Sequence, residues 1–340
     1  MGKLFTQKPR FTMEKRKLGK QGLEVPALGL GCMGMSFAYG KADEAESLRT
    51  LDRSLELGMN FWDTAEAYGP FLNEELLAKA FKGRREKVVL ATKIAWKGGV
   101  SSPDTLDGSP ANVRLAVEGC LKRLGIETID LLYLHRRDPK VPIEETVGAM
   151  AALVKEGKVK YLGLSEVGPK TLRKAHQVHP LSALQSEYSL WETNIEAEIL
   201  PAVRELGIGF VPFSPVGRGF LTGQLKRFED LEEKDNRRNL PRFQGDNFKE
   251  NLKLVEEVRR IADAKKATAS QIALAWLLHQ GKDIVPIPGT TKVKHLEENA
   301  CAADIQLSGE DLGEITHILS KFRVAGNRYS EAMAKMVSAE

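Results

Sequence analysis

Residues 129–135 read Ile129-Asp130-Leu131-Leu132-Tyr133-Leu134-His135, a short run of β-favouring residues that delivers one polar side chain at its end. A run apolar on both faces has the signature of a strand buried in a parallel sheet. The pattern recurs along the chain. Val88-Val89-Leu90-Ala91-Thr92 delivers Lys93, and Phe61-Trp62 delivers Asp63, with Tyr68 five residues further on. Counting these three, strand candidates fall at 27–30, 60–62, 88–92, 129–134, 159–164, 183–185, 209–213 and 284–287, eight in all. Helical patterns fill the gaps at 44–57, 74–81, 109–124, 143–155, 171–178, 195–206, 270–279 and 292–301. Asn73 and Ser109 are expected N-caps, and several of these helices are closed by a glycine. Eight strand–helix repeats predict a closed parallel (β/α)8 TIM barrel, whose strands end on a single rim where the chemistry gathers.

Two segments depart from the alternation. A hairpin is expected at 14–26, ahead of the barrel at 27–301, because short strand-like runs flank the Gly19-Lys20-Gln21-Gly22 turn. A polar, Gly- and Arg-rich insertion at 214–248 reads as a functional or mobile loop. A further helix at 309–319 and a tail rich in Gly, Arg and Tyr complete the C-terminal region, 302–340. Residues 1–13, polar and basic without an apolar core, read as a flexible extension rather than a secretory signal. With no linker-like tract, one domain is expected.

Composition narrows the function. The chain has 340 residues, 42% hydrophobic and 28% charged, enough to bury a full core. Its formal charge of +4 includes no basic block suited to nucleic acid. Cys32, Cys120 and Cys301 are odd in number and lack metal-ligand spacing, so neither a disulfide framework nor a zinc site is expected. No run reaches the roughly 18 apolar residues of a membrane span, and a cytoplasmic protein follows by default. Paired carboxylates or metal ligands on the rim, which a barrel hydrolase or isomerase needs, are not found.

The combination FWDTAEAYG (61–69), ATK (91–93), LLYLH (131–135), GLS (163–165) and IPGTTKVKHLEEN (287–299) resembles the aldo-keto reductases. The resemblance runs in order over roughly residues 14–320 and includes the branch of perakine reductase. It implies reduction of an aldehyde or ketone by hydride from NADPH, without metal. Asp63, Tyr68, Lys93 and His135 are then the catalytic set. Tyr68 is the proton donor, and Lys93 is expected to draw its pKa below the free value of about 10. Asp63 pairs with Lys93, and His135 hydrogen-bonds the carbonyl oxygen. Taken singly, Asp63 and Lys93 are better read as a rim ion pair, and His135 as a core imidazole; the ordered set favours the catalytic reading.

The same resemblance assigns the cofactor face. Ser165 and Gln185 hold the nicotinamide carboxamide beside Gly31, Met33 and Asp63, and Phe213 stacks on its ring. Ser214-Pro215-Val216-Gly217-Arg218 crosses the pyrophosphate with backbone N–H groups. Gly289, Thr290, Thr291, Lys292 and His295 surround the 2′-phosphate, with Lys292 or Lys294 as its cation, while Glu298 and Asn299 meet the adenine. NADH is a poorer fit. Three positions depart. Gly289 and His295 stand where better-known members have a Lys and an Arg for the 2′-phosphate, so that its charge is met by Lys292 or Lys294 or not at all. Glu166 stands where the family has Asn, and an ionised Glu can only accept hydrogen bonds. Phe37, Tyr39, Trp96, Arg136 and Trp191 are the candidate substrate contacts, suggesting an apolar, aromatic-tolerant pocket for a small carbonyl compound. A nicotinamide-sensing regulatory subunit of the potassium-channel β-subunit type is the alternative.

Overall fold

The computed structural model describes residues 13–334 and residue 337. The extension expected at 1–13 therefore lies outside the described residues, apart from Met13. Strands β1 (Lys15–Leu18) and β2 (Leu23–Pro26) form the expected antiparallel hairpin. Seven parallel strands follow in sequential order: β3 (Leu30–Gly31), β4 (Phe61–Asp63), β5 (Val89–Ile94), β6 (Ile129–Leu134), β7 (Val159–Ser165), β8 (Ala183–Glu187) and β9 (Gly209–Phe213).

The eighth expected strand, 284–287, is not a regular strand. Val285 N–H and Ile287 N–H donate to Phe210 O and Pro212 O at 2.9 and 3.1 Å. On the other side, Gly29 N–H and Gly31 N–H donate to Pro286 O and Pro288 O at 3.0 and 3.2 Å. Pro286 and Pro288 have no N–H to return, so only isolated bridges form, at Ile284–Phe210 and Gly289–Gly31. The segment nonetheless spans the gap between β9 and β3.

Alternation along each strand sends one set of side chains into the barrel. Phe61, Ala91, Leu131, Ala183, Val211 and Val285 pack there with Leu18, Leu23 and Val25 of the hairpin. The hairpin thus plugs the end where the strands begin. At Gly209 a Cβ would come within 2.4 Å of the Leu18 side chain, so only glycine allows so close a plug.

Helices α1 (Glu44–Glu56), α2 (Leu72–Phe81), α3 (Pro110–Leu124), α4 (Ile143–Lys155), α5 (Pro169–Val178) and α6 (Ile199–Leu206) connect successive strands. Their buried faces meet the outward faces of the strands in a second, larger core. Ser109 caps α3 by accepting from Asn112 N–H, and Gly125 closes it at φ 64°. Asn73 is not a cap. It lies inside α2, where its amide donates to Cys32 O and Ser36 Oγ and its carbonyl accepts from Thr64 Oγ1. Asn73 therefore ties the start of α2 to the loop after β3.

The insertion is ordered. It winds through four 3₁₀ turns, Gly217–Thr222, Phe228–Asp230, Asn236–Asn239 and Pro241–Phe243, and enters α7 (Gly245–Ala264). Sequence reading passes over α7, although Phe248, Val255, Val258 and Ile261 sit at helical spacing and are buried. Next come α8 (Ala269–His279), α9 (Val293–Ala300), α10 (Gly309–Lys321) and a short α11 (Glu331–Ala334). Among the described residues no helix is long and apolar enough to cross a membrane.

Candidate active site

The strand ends deliver the expected polar residues to one rim. Asp63 ends β4, Lys93 is the penultimate residue of β5, His135 directly follows β6, and Tyr68 lies in the turn leading to α2. Lys93 is fully buried, and its ammonium has three partners. It is ion-paired with Asp63 Oδ1, donates to Thr64 O at 2.8 Å, and lies 3.2 Å from Tyr68 OH. The second Asp63 oxygen accepts from Gln185 Nε2 at 2.8 Å. A charge this deep is tolerable because the ammonium has a carboxylate partner and two further oxygens, and the second carboxylate oxygen has its own donor.

Burial favours the neutral form of the Tyr68 phenol, and Lys93 opposes it. Burial prevails, so Tyr68 sits above the usual phenol value, not below it as sequence reading expects. For Lys93 the balance is reversed. Burial disfavours the cation, but Asp63 and Tyr68 together outweigh it and hold the pKa up. His135 is pushed well below 6.5, by burial first and then by Arg136 and Lys93, so its ring is neutral. Its Nδ1 is buried and has no hydrogen-bond partner. The ring is braced edge-on by Trp96, with centroids 4.7 Å apart, and by Tyr68 at 5.8 Å.

These groups face a cavity of about 1000 Å³. Asp63, Tyr68 and His135 are in its wall, and Lys93 stands immediately behind. The wall takes in Gly31, Met33, Ser165, Gln185, Phe213, Ser214, Pro215, Val216 and Arg218 at one side. It continues through Gly289, Thr290, Thr291, Lys292, His295, Glu298 and Asn299. Lys294 is not in it, which leaves Lys292 as the lysine of this stretch that faces the groove. Gly217 also falls outside, its Cα turned toward the Trp191 ring. Ser165 Oγ accepts from Arg136 Nη1 at 3.2 Å, so its own hydroxyl proton is free for a ligand. Among the described residues no group of three or more His, Cys, Asp and Glu could hold a metal ion.

Of the substrate candidates, Phe37, Tyr39, Trp96 and Arg136 line the cavity. Trp191 does not. It is buried, stacked on Phe220 at 5.0 Å and edge-on to Phe243, beneath the insertion it helps to fix. A loop aromatic serves either purpose, and here packing takes it.

Three contributions are invisible in the local sequence. Glu66, between Asp63 and Tyr68, accepts from Ala95 N–H at 2.9 Å and Trp96 N–H at 3.1 Å, fixing the Trp96 turn against the Tyr68 turn. Burial pushes its carboxyl up to about 7. Tyr329 and Met333 of the C-terminal tail also enter the cavity wall. Glu166 turns away from the cavity and pairs with Arg328 at 2.5 Å.

Comparison with known proteins places this geometry. The chain matches the aldo/keto reductase family over residues 27–320. It is 48% identical over 319 residues to a probable aldo-keto reductase 1 of Glycine max, covering 92% of this chain and 91% of that protein. Among solved structures it resembles the glycerol dehydrogenase of Gluconobacter oxydans, with a TM-score of 0.81 and 27% identity over 93% of this chain and 98% of that one. It also resembles the holo form of an aldo-keto reductase from Bacillus halodurans, with a TM-score of 0.75 and 28% identity over 94% and 99%. Ion-paired Lys93 beside the Tyr68 hydroxyl, on the rim of a parallel barrel and within a match spanning most of its length, makes this chain a member of the aldo/keto reductase family.

Proposed function

We propose that this protein reduces an aldehyde or ketone to the alcohol at the expense of NADPH. One observation carries the reading: the Tyr68 hydroxyl, 3.2 Å from the Lys93 ammonium, faces the cavity beside a neutral His135. That is an acid, a charge to stabilise its conjugate base and a donor to orient the acceptor, all on one wall.

The groove fits a dinucleotide. At Gly31 a Cβ would come within 2.9 Å of Ile287 O, and at Gly289 one would come within 3.1 Å of Gly31 O. Two backbones thus meet without side chains in a part of the cavity wall. Ser165 and Gln185 would hold the carboxamide, Phe213 would flank the ring, and Arg218 would meet the pyrophosphate. Lys292 would meet the 2′-phosphate, with Glu298 and Asn299 near the adenine.

When bound, the reduced nicotinamide supplies the hydride. This chain's residues supply the rest. His135 donates a hydrogen bond to the carbonyl oxygen and stabilises the negative charge that develops there. Tyr68 gives its phenolic proton to the same oxygen. Burial would otherwise penalise the phenolate left behind, and Lys93 offsets that cost while Asp63 and Gln185 keep the ammonium in place. Trp96, buried edge-on to His135, keeps water from that side of the acceptor.

The test is loss of NADPH absorbance with an aromatic aldehyde, without added metal and again with a chelator. The reading expects turnover in both. Cofactor binding without turnover of any aldehyde or ketone would favour a sensing role instead.

A further inference from the structure

Glu166 holds an unusual place. It follows Ser165 at the end of β7 with φ 55°, a left-handed conformation that costs a non-glycine residue about 1 kcal/mol or more. Its carboxylate is buried away from the cavity, and both oxygens are in use. Oε2 accepts from Arg328 Nη2 at 2.5 Å and from Tyr329 OH at 3.4 Å. Oε1 accepts from Arg328 Nη1 at 3.3 Å and from Glu187 N–H at 3.2 Å. This is a two-pronged guanidinium–carboxylate pair, the geometry that fixes orientation best.

The partners lie in the tail beyond α10. Phe322 and Val324 pack against the core, and hydrogen bonds to the insertion and α7 follow at residues 325 and 326. Asn251 of α7 exchanges hydrogen bonds with Ala325 N–H and O at 2.8 and 3.0 Å, and Arg242 reaches Gly326 O at 3.4 Å. Two residues later Arg328 is caught by Glu166. Tyr329 comes next, with its ring between two cations: Arg328 at 4.6 Å and Arg218 at 5.9 Å from the centroid. Its other surface is cavity wall. Beyond residue 326 the Arg328 pair is the shortest of these contacts, with the Tyr329 hydroxyl at 3.4 Å from Glu166 and the Arg218 guanidinium over the Tyr329 ring as weaker ones.

We propose that Glu166 and Arg328 are a positioning pair that latches the C-terminal tail across the barrel mouth, making Tyr329 a specificity-determining wall that disfavours bulky carbonyl substrates. In this account Glu166 is committed to the tail rather than to the cofactor. The proposal rests on the carbonyl-reductase reading above.

The experiment compares kcat/KM for propanal and for 2-naphthaldehyde in the full chain, with NADPH saturating. The variants are Tyr329→Ala, Arg328→Met and the double variant Glu166→Gln/Arg328→Met, which leaves no buried charge unpaired. Each should raise the naphthaldehyde-to-propanal ratio at least five-fold, mainly through KM for the bulky aldehyde. Arg328→Lys, which keeps the charge but loses the fork, should fall between wild type and Arg328→Met. NADPH affinity, read by fluorescence titration, should stay within two-fold of wild type in the double variant. An unchanged ratio in folded variants overturns the latch, as does a loss of NADPH affinity equal to the change in kcat/KM. A wild type inactive on both aldehydes would instead sink the reductase reading.

Discussion

Replacing Lys93 with Met probes the electrostatics on which the site depends. Lys93 is fully buried, and its ammonium engages Asp63, Thr64 O and Tyr68 OH. Methionine fills much of the same volume but leaves the Asp63 carboxylate, itself 2% exposed, with Gln185 as its remaining donor. Breaking a buried ion pair on one side costs about 3–5 kcal/mol, most of it from the stranded charge. If the stranded charge is the cause, neutralising it should help. Asp63→Asn/Lys93→Met should recover at least half of that loss, since an amide can share hydrogen bonds with Gln185 and carries no charge. Urea unfolding followed by tryptophan fluorescence measures both, with the buried Trp62 as a core reporter. A Lys93→Met protein within about 1 kcal/mol of wild type, or a double variant no more stable than the single, would refute the argument.

Three further outcomes follow from the structure. Burial holds the Tyr68 phenol above its ordinary value while Lys93 lowers it. Reductive kcat/KM should thus stay level through neutral pH and fall only above about 10, oxidative kcat/KM should rise toward that transition, and Lys93→Met should move it higher still. Lys292→Ala should weaken NADPH by about 1.5–3 kcal/mol and leave NADH nearly unchanged, as shown by comparing the two dissociation constants; equal losses would remove Lys292 from phosphate recognition. Glu66 keeps its proton up to about pH 7 when folded but releases it near 4.5 otherwise. Its contribution is complete below pH 4.5 and is lost as pH rises through 7, about 3 kcal/mol in all, and Glu66→Gln should flatten that part of a stability–pH profile.

The parts of the site that were legible in the sequence are those encoded by neighbours along the chain. A buried parallel strand must be apolar throughout, so Asp63, Lys93 and His135 stand out at the ends of their runs. The contacts that join them are not local. Gln185 meets Asp63 across 122 residues, and Arg328 meets Glu166 across 162. No spacing rule signals either. Asn73 shows a different limit: its side chain suits a cap, yet it is drawn into a buried network with Thr64 and Ser36. Pro286 and Pro288 were the readable warning that the eighth segment could not be a full strand. The lowered Tyr68 pKa expected from Lys93 alone failed because sequence shows the neighbouring charge but not the depth of burial, and here burial dominates.

The measurement that bears most directly on the central claim is turnover by Tyr68→Phe alongside its NADPH affinity. Phenylalanine keeps the ring that packs against His135 and removes only the hydroxyl beside Lys93. Loss of a positioned acid should lower kcat for aldehyde reduction by about 100-fold or more. NADPH binding, which the proposed reading assigns to residues other than Tyr68, should stay within about two-fold of wild type. A Tyr68→Phe enzyme with near-normal kcat would contradict the assignment of Tyr68 as the proton donor.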